Sequence, residues 1–332
     1  MHPQHPQRPR PTSGGSPLLS RVSLLAVVLL FVVVVAGAVV KATGSGMGCP
    51  DWPKCFGRLI PPTQTADIPP EFMADFLDPA KGNGNLAHTW TEYVNRLFGA
   101  LSGTGVLATL VLSLGLLRKR PFIPVILLAG CITFGFVAWL GKVLVDTTLA
   151  PHKITLHFLG GMILTLTMVC VAAILRPMPP AAVSRRLRQH LWIALGLTTV
   201  QMLLGTQVRE IVDGLAAGQC CDGRLEEHLG GWLLWHRLGA ALAVLAVASL
   251  YFHLRMGGLA HSAPILTRLV PIILALEYAA GVAMIRFQLP GGAQPVHTVL
   301  GVGLISVLVA LLGRTRRESV APADPALPAA IS

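Results

Sequence analysis

Leu234-Trp235-His236-Arg237-Leu238-Gly239 is the stretch from which the chain is best read. Its histidine and arginine open a long apolar run, Leu238 to Phe252, that can cross a bilayer as a helix. An ionisable ring in such a place is costly unless something holds it. Earlier stands Tyr93-Val94-Asn95-Arg96-Leu97-Phe98-Gly99, which also opens a long apolar run. The two stretches align as x-Arg-Leu-x-Gly, with His236 over Asn95. That alignment points to two copies of one helical unit, differing at the position of the histidine.

Composition sets the class. Of 332 residues, 53% are hydrophobic and 12% charged, where a soluble domain carries about 25% charged residues. Apolar runs long enough to span recur near residues 21–42, 92–117, 121–144, 153–175, 189–209, 232–254, 267–287 and 295–313. The expected fold is therefore an all-α integral membrane protein of eight helices. The net charge of +11 is a matter of topology and not a nucleic-acid surface. Its cations gather at alternate connections: Arg8, Arg10 and Arg21; Arg118, Lys119 and Arg120; Arg176, Arg185, Arg186 and Arg188; Arg255 and Arg268; Arg314, Arg316 and Arg317. The other connections hold the acids, Asp51, Asp67, Glu71, Asp75 and Asp78, then Glu210, Asp213, Asp222, Glu226 and Glu227. By the positive-inside rule both termini face the cytoplasm. The run after Arg21 is long for a signal peptide and is followed by Lys41, so it reads as a retained first helix.

The repeat extends through the whole membrane region. Gly37-Ala38-Val39-Val40-Lys41 closes the first helix and Gly205-Thr206-Gln207-Val208-Arg209 the fifth. His157 follows Gly141 by 16 residues, and His297 follows Gly281 by 16. Asn95 and His157 are 62 residues apart, His236 and His297 61. Four helices per copy is an even number, so the copies run in parallel as two pseudo-symmetric four-helix bundles. The organisation expected is a disordered cytoplasmic segment 1–20, a first half 21–176 with a large outer loop 43–91, a second half 189–313, and a disordered cytoplasmic tail 314–332.

His157, His236 and His297 each stand early in an even-numbered helix, hence at similar depth near the outer face. Neutral imidazole is a good ligand for haem iron, and His236 with His297 suits a bis-histidine haem b. The alternative for any one of them is a satisfied core histidine. Lys41, Arg96, Lys142, Arg209, Arg237 and Arg286 lie at outer helix ends, against the positive-inside trend. Haem propionates would compensate them; snorkelling to headgroups is the other account. Glu92 shares a helix face with Asn95 and Arg96, and Leu233 stands at its place in the second copy. Burial would fit it for proton transfer; pairing with Arg96 is the alternative. Cys49 and Cys55 fit a disulfide or a redox-active thiol pair better than a zinc site. Cys220-Cys221 is a vicinal pair with its state open.

These motifs resemble the haem A synthases over about residues 21–313: Gly37-Ala-Val-Val-Lys41, Thr43-Gly-Ser-Gly46, Cys49-Pro-Asp-Trp-Pro-Lys-Cys55, Glu92-Tyr-Val-Asn-Arg96, His157, His236-Arg237 and His297. The resemblance implies an oxidoreductase that converts the C8 methyl of haem O to the formyl of haem A by successive hydroxylations. It implies His236 and His297 as axial ligands of a resident haem b, with Arg237 and Arg209 at its propionates. Substrate haem would sit near His157, Asn95, Arg96 and Lys41, with Glu92 as the catalytic carboxylate. Cys49 and Cys55 match the family's outer-loop pair, thought to act in redox or substrate handling, and Cys220 and Cys221 stand where some members carry a second pair, there spaced apart. Many members have histidine at the place of Asn95, so here His157 alone, or His157 with His88, would face the iron. The implied partners are haem O, the bilayer, haem O synthase and terminal-oxidase assembly factors, in a bacterial cytoplasmic membrane in preference to a mitochondrial one; self-association stays open. The rival readings are a non-enzymatic dihaem b-type electron carrier or haem chaperone, and a thiol oxidoreductase built on Cys49 and Cys55.

Overall fold

The computed structural model describes residues 16–176, 181–216, 225–256, 259–287 and 290–317. Cys220, Cys221, residues 1–15 and residues 318–332 lie outside them, as do the expectations made for those positions. Among the described residues, eight helices are long and apolar enough to cross a membrane. They are α1 (Pro17–Ala42), α3 (Leu86–Ser113), α4 (Phe122–Asp146), α5 (Pro151–Leu175), α6 (Arg185–Ala216), α7 (Leu225–Met256), α9 (Pro264–Phe287) and α10 (Pro290–Gly313). Two short helices, α2 (Pro70–Leu77) and α8 (Leu259–Ser262), lie between them. The protein is a nearly all-helical, multi-pass membrane protein.

Helix ends follow local chemistry. Ser16 caps α1, its Oγ accepting from Leu19 N at 3.1 Å, so the helix starts inside the segment expected to be disordered. Asn85 caps α3 through Ala87 N at 2.9 Å, starting that helix before the apolar run does. Gly230, at φ 47, breaks α7 just where the spanning part was expected to begin. One element had no sequence signal: β1 (Ala181–Val183) pairs in parallel with β2 (Thr315–Arg317). The first residues of the expected disordered tail are thus tied to the connection between the halves.

Two closed circuits of helix packing can be traced, joined by contacts of similar extent. α1 packs on α3, α3 on α4, α4 on α5 and α5 on α1; α6 packs on α7, α7 on α9, α9 on α10 and α10 on α6. The circuits meet where α10 touches α1 and α5, and α5 touches α6. Each has its own apolar core. Leu19, Ala26, Leu30, Val106, Ile123, Leu127, Leu164, Met168, Val171 and Leu175 form one. Leu187, Leu191, Ala194, Val247, Leu250, Leu254, Val270, Val307, Leu308 and Leu311 belong to the other. Both lists come from the starts of α1, α4, α6 and α9 and the ends of α3, α5, α7 and α10. Apolar burial is therefore concentrated at one end of the bundle, and the conspicuous polar residues stand at the other.

The long connection between α1 and α3 folds over that polar end. Cys49 and Cys55 form a disulfide. With Phe56, Ile68 and Phe76 they make a small core of their own, where Phe56 meets Phe72 and Phe76 edge-on at 5.8 and 6.1 Å. Asp51 fixes the turn: its carboxylate accepts from Phe56 N at 2.6 Å and Gly57 N at 3.0 Å. Gly48 lets this loop lie on α3, since a Cβ there would stand 2.4 Å from the His88 carbonyl oxygen.

Candidate functional site

Four polar side chains occupy corresponding places, each laid on a glycine of the preceding spanning helix. A Cβ added to Gly205 would stand 3.2 Å from His236 Cε1, and one added to Gly281 3.2 Å from His297 Cε1. For Gly141 and His157 Cε1 the distance is 3.5 Å, and for Gly37 and Asn95 Oδ1 it is 3.8 Å. The bare helix surface at glycine is what lets a ring lie so close to a neighbouring backbone.

His236 and His297 face one another. Their ring centres are 6.4 Å apart and their planes 77° apart. A metal–nitrogen bond of about 2 Å on each side, plus roughly 1.2 Å from nitrogen to ring centre, requires a separation of about 6.4 Å, which is the separation of this pair. His297 Nδ1 lies 3.1 Å from the Glu277 carbonyl oxygen and 3.2 Å from Glu277 Oε1. The Nδ1–H tautomer donates to them and leaves Nε2 for a metal. His236 Nδ1 is 3.0 Å from Gln201 Nε2. The same amide nitrogen is 3.4 Å from His236 Nε2, so Gln201 lies against both ring nitrogens and is nearer Nδ1. Among the described residues no three His, Cys, Asp or Glu side chains converge on a metal ion. A haem iron, already held by its macrocycle, needs only the axial pair.

The first half differs at each point. Asn95 replaces an imidazole. His157 Nδ1 is buried and lies near the Val137 carbonyl without reaching hydrogen-bond geometry. Glu92 is only 7% exposed, and its Oε1 accepts from Arg96 Nε at 2.9 Å. The rest of that guanidinium is turned to the loop. Nη1 donates to the carbonyls of Asp51 at 2.6 Å and Lys54 at 2.9 Å, and Nη2 to that of Cys49 at 3.2 Å. Arg96 therefore clasps the disulfide loop onto the Glu92 carboxylate, and little of it is left for a propionate. His88, the other histidine considered for this half, has its Nδ1 buried without a partner.

Of the other outer cations, Lys142 pairs with Asp146 at 2.5 Å. Lys41, Arg237 and Arg286 are exposed. Arg209 Nη2 donates to Thr155 Oγ1 at 2.9 Å, and Thr155 in turn donates to Glu210. A residue of α5, two before His157, thus meets two residues of α6. Three of these participants were missed in the sequence: Gln201, Thr155 and Glu277. Only Glu277 carried a signal, as the one acid between residues 228 and 317.

The fold and this geometry define a polytopic membrane protein with two imidazoles paired between its sixth and eighth spanning helices and a disulfide loop laid over the start of α3. Residues 20–309 match the model of the cytochrome oxidase assembly protein family COX15-CtaA. The chain is 27% identical over 323 residues to the "Heme A synthase" of Granulibacter bethesdensis, covering 87% of this chain and 84% of that one. It is 24% identical to that of Bacillus pumilus (92% and 98% covered) and 28% identical to that of Azorhizobium caulinodans (94% and 98%). The protein belongs to this haem A synthase family, which places it among the enzymes of haem A formation.

Proposed function

We propose that the protein oxidises haem O to haem A, taking the substrate into the half built from α1, α3, α4 and α5 and holding a resident haem b in the half built from α6, α7, α9 and α10. The observation that carries this reading is the asymmetry of the four glycine-backed positions. Two of them form a matched imidazole pair. The other two are one imidazole and one amide, and the carboxylates differ as well: Glu92 stands one turn before the amide on the same helix and pairs with Arg96, whereas Glu277 stands on the helix before His297 and addresses its ring. A second ligand site built for permanence has no need of such a difference; a site where a substrate is worked on does.

His157 binds or orients the substrate iron, and Asn95 leaves the opposite side without an imidazole. Lys41 lies at the end where propionates would emerge. Glu92, fixed by Arg96, takes up a proton released at the C8 methyl as it is oxidised first to hydroxymethyl and then to a gem-diol that loses water to the formyl group, or it positions those intermediates. Each of the two hydroxylations takes its oxygen from water and passes two electrons to an external electron acceptor, the second proton leaving to solvent. The separate cores and the paired packing support the division into two bundles. Haem b between His236 and His297 would supply one-electron redox capacity beside the substrate half. Arg209 and Arg237 are the cations placed to meet its propionates. The alternating basic connections support a site on the outer side of a bacterial cytoplasmic membrane with both termini inside, where haem O synthase and oxidase assembly factors are the partners expected.

The Glu92–Arg96 ion pair favours a second reading, a dihaem carrier or chaperone in which Glu92 serves only to seat the loop. Haem extraction and chromatography from cells that make haem O, with and without this protein, tests the proposal. Appearance of haem A only with the protein is expected; its absence in both would overturn the enzymatic reading.

A further inference from the structure

Glu277 is an acid inside a spanning helix, and such residues are retained where they serve the site they face. It lies on α9 one turn before Gly281, the glycine under the His297 ring. Its backbone and side-chain oxygens both address His297 Nδ1, at 3.1 and 3.2 Å. The space it occupies is set aside for it. On α10, one turn beyond His297, stands Gly301, where a Cβ would come within 3.1 Å of Glu277 Oε1 and 2.8 Å of Met202 Cε. Its second oxygen, Oε2, is buried without a partner. The corresponding place in the first half, one turn before Gly141, is Val137, and there His157 Nδ1 has no hydrogen-bond partner.

We infer that Glu277 is a positioning residue that makes His297 a permanent axial ligand, and that its replacement by valine at position 137 leaves His157 loosely held, as a ligand for a haem that must enter and leave. The inference rests on the proposed placement of resident haem b in the second half. A ligand imidazole that donates Nδ1–H to a carboxylate is fixed in tautomer and orientation and is more basic toward its metal. Greater basicity favours the ferric state, so Glu277 holds the potential of the haem down. With the two ring planes already near perpendicular, rotation of His297 would also change the anisotropy of the low-spin ferric signal. His157 has only the Val137 backbone carbonyl near its Nδ1, so it lacks the carboxylate that fixes His297 and raises its basicity.

The test uses the purified holoprotein in detergent or nanodiscs: wild type, Glu277→Gln, Glu277→Val and Val137→Glu. Redox titration, electron paramagnetic resonance and retention of haem on dilution are read for each. In Glu277→Gln the amide oxygen can still accept the hydrogen bond, so the resonance signal stays near wild type. The ferric/ferrous balance moves about tenfold toward ferrous, about 59 mV for one electron. In Glu277→Val the signal anisotropy changes and haem b is lost faster on dilution. Val137→Glu slows release of haem from the first half. Unchanged potential in Glu277→Gln, with unchanged retention in Glu277→Val, would overturn the inference while leaving haem b in place. If Glu277→Val yields no folded protein, the potential of Glu277→Gln decides alone. A wild-type holoprotein without a low-spin bis-imidazole signal would overturn the haem b placement itself, and the inference with it.

Discussion

Arg96 Nε donates to Glu92 Oε1 at 2.9 Å while the remaining nitrogens of the same guanidinium hold three carbonyls of the loop closed by Cys49 and Cys55. One side chain thus decides both where the loop lies and how the carboxylate is presented. Arg96→Ala leaves a buried carboxylate unpaired, a loss of roughly 3–5 kcal/mol, together with the loop contacts. Faster hydrogen exchange across residues 45–60 is expected, with Arg96→Lys intermediate, because an ammonium cannot reach all four acceptors at once. Exchange rates equal to wild type would show that the clasp does not hold the loop.

Glu92→Gln separates the two functional readings. The amide keeps the size and a hydrogen bond to Arg96 but cannot take up a proton. A carrier would keep its haem and its electron transfer. A synthase should fall by a factor of about 100 or more, the usual worth of a general acid or base, with haem O or a hydroxylated intermediate accumulating on chromatography.

Removing the disulfide should be felt locally. Closing so short a loop is worth about 2 kcal/mol by chain entropy, so Cys49→Ser with Cys55→Ser should loosen the loop without changing the spectrum of the second half. Full activity in this double variant would dispose of a thiol-based mechanism.

The glycines under the rings should rank by the space they leave. Alanine at Gly205 or Gly281 would press on a ring at 3.2 Å, whereas at Gly141 it meets His157 at an ordinary 3.5 Å. Gly205→Ala and Gly281→Ala should shift or weaken the low-spin haem spectrum, while Gly141→Ala leaves it intact. Equal effects at all three would mean that the rings are not seated by these contacts.

Asn95→His restores the imidazole that the second half carries at His236. With haem O bound, a second low-spin haem signal is expected and conversion should slow, because the open side of the substrate iron is filled. If the added histidine leaves the spectrum unchanged, position 95 does not face the iron.

Much of this was legible from residue order. Spanning helices announce themselves by apolar length, and the matched spacing of Gly141 with His157 and Gly281 with His297 reflects a contact that the structure places at van der Waals range. The clasp was not legible, because three of the four acceptors of Arg96 are backbone carbonyls that any residue type could supply. The sequence offered Arg96 as a propionate partner or as the partner of Glu92; the second is a contact within the chain, and the loop anchor was not foreseen. Gln201 and Thr155 were hidden for a related reason: an amide or hydroxyl in a membrane helix is common and gains meaning only from the neighbour it meets. Glu277 could have been noticed as a lone acid in an apolar span. The β1–β2 pairing has no hydrophobic pattern to betray it in so few residues.

The separate cores lie far from the chemistry. Asn95 and Val106 stand on the same helix about 16 Å apart at 1.5 Å per residue, most of the way across one leaflet. A change of ligand at position 95 therefore removes nothing from the packing that keeps α3 in place. Position 95 can be exchanged without touching the apolar packing of α3, which leaves the choice of side chain there to the site and not to the fold.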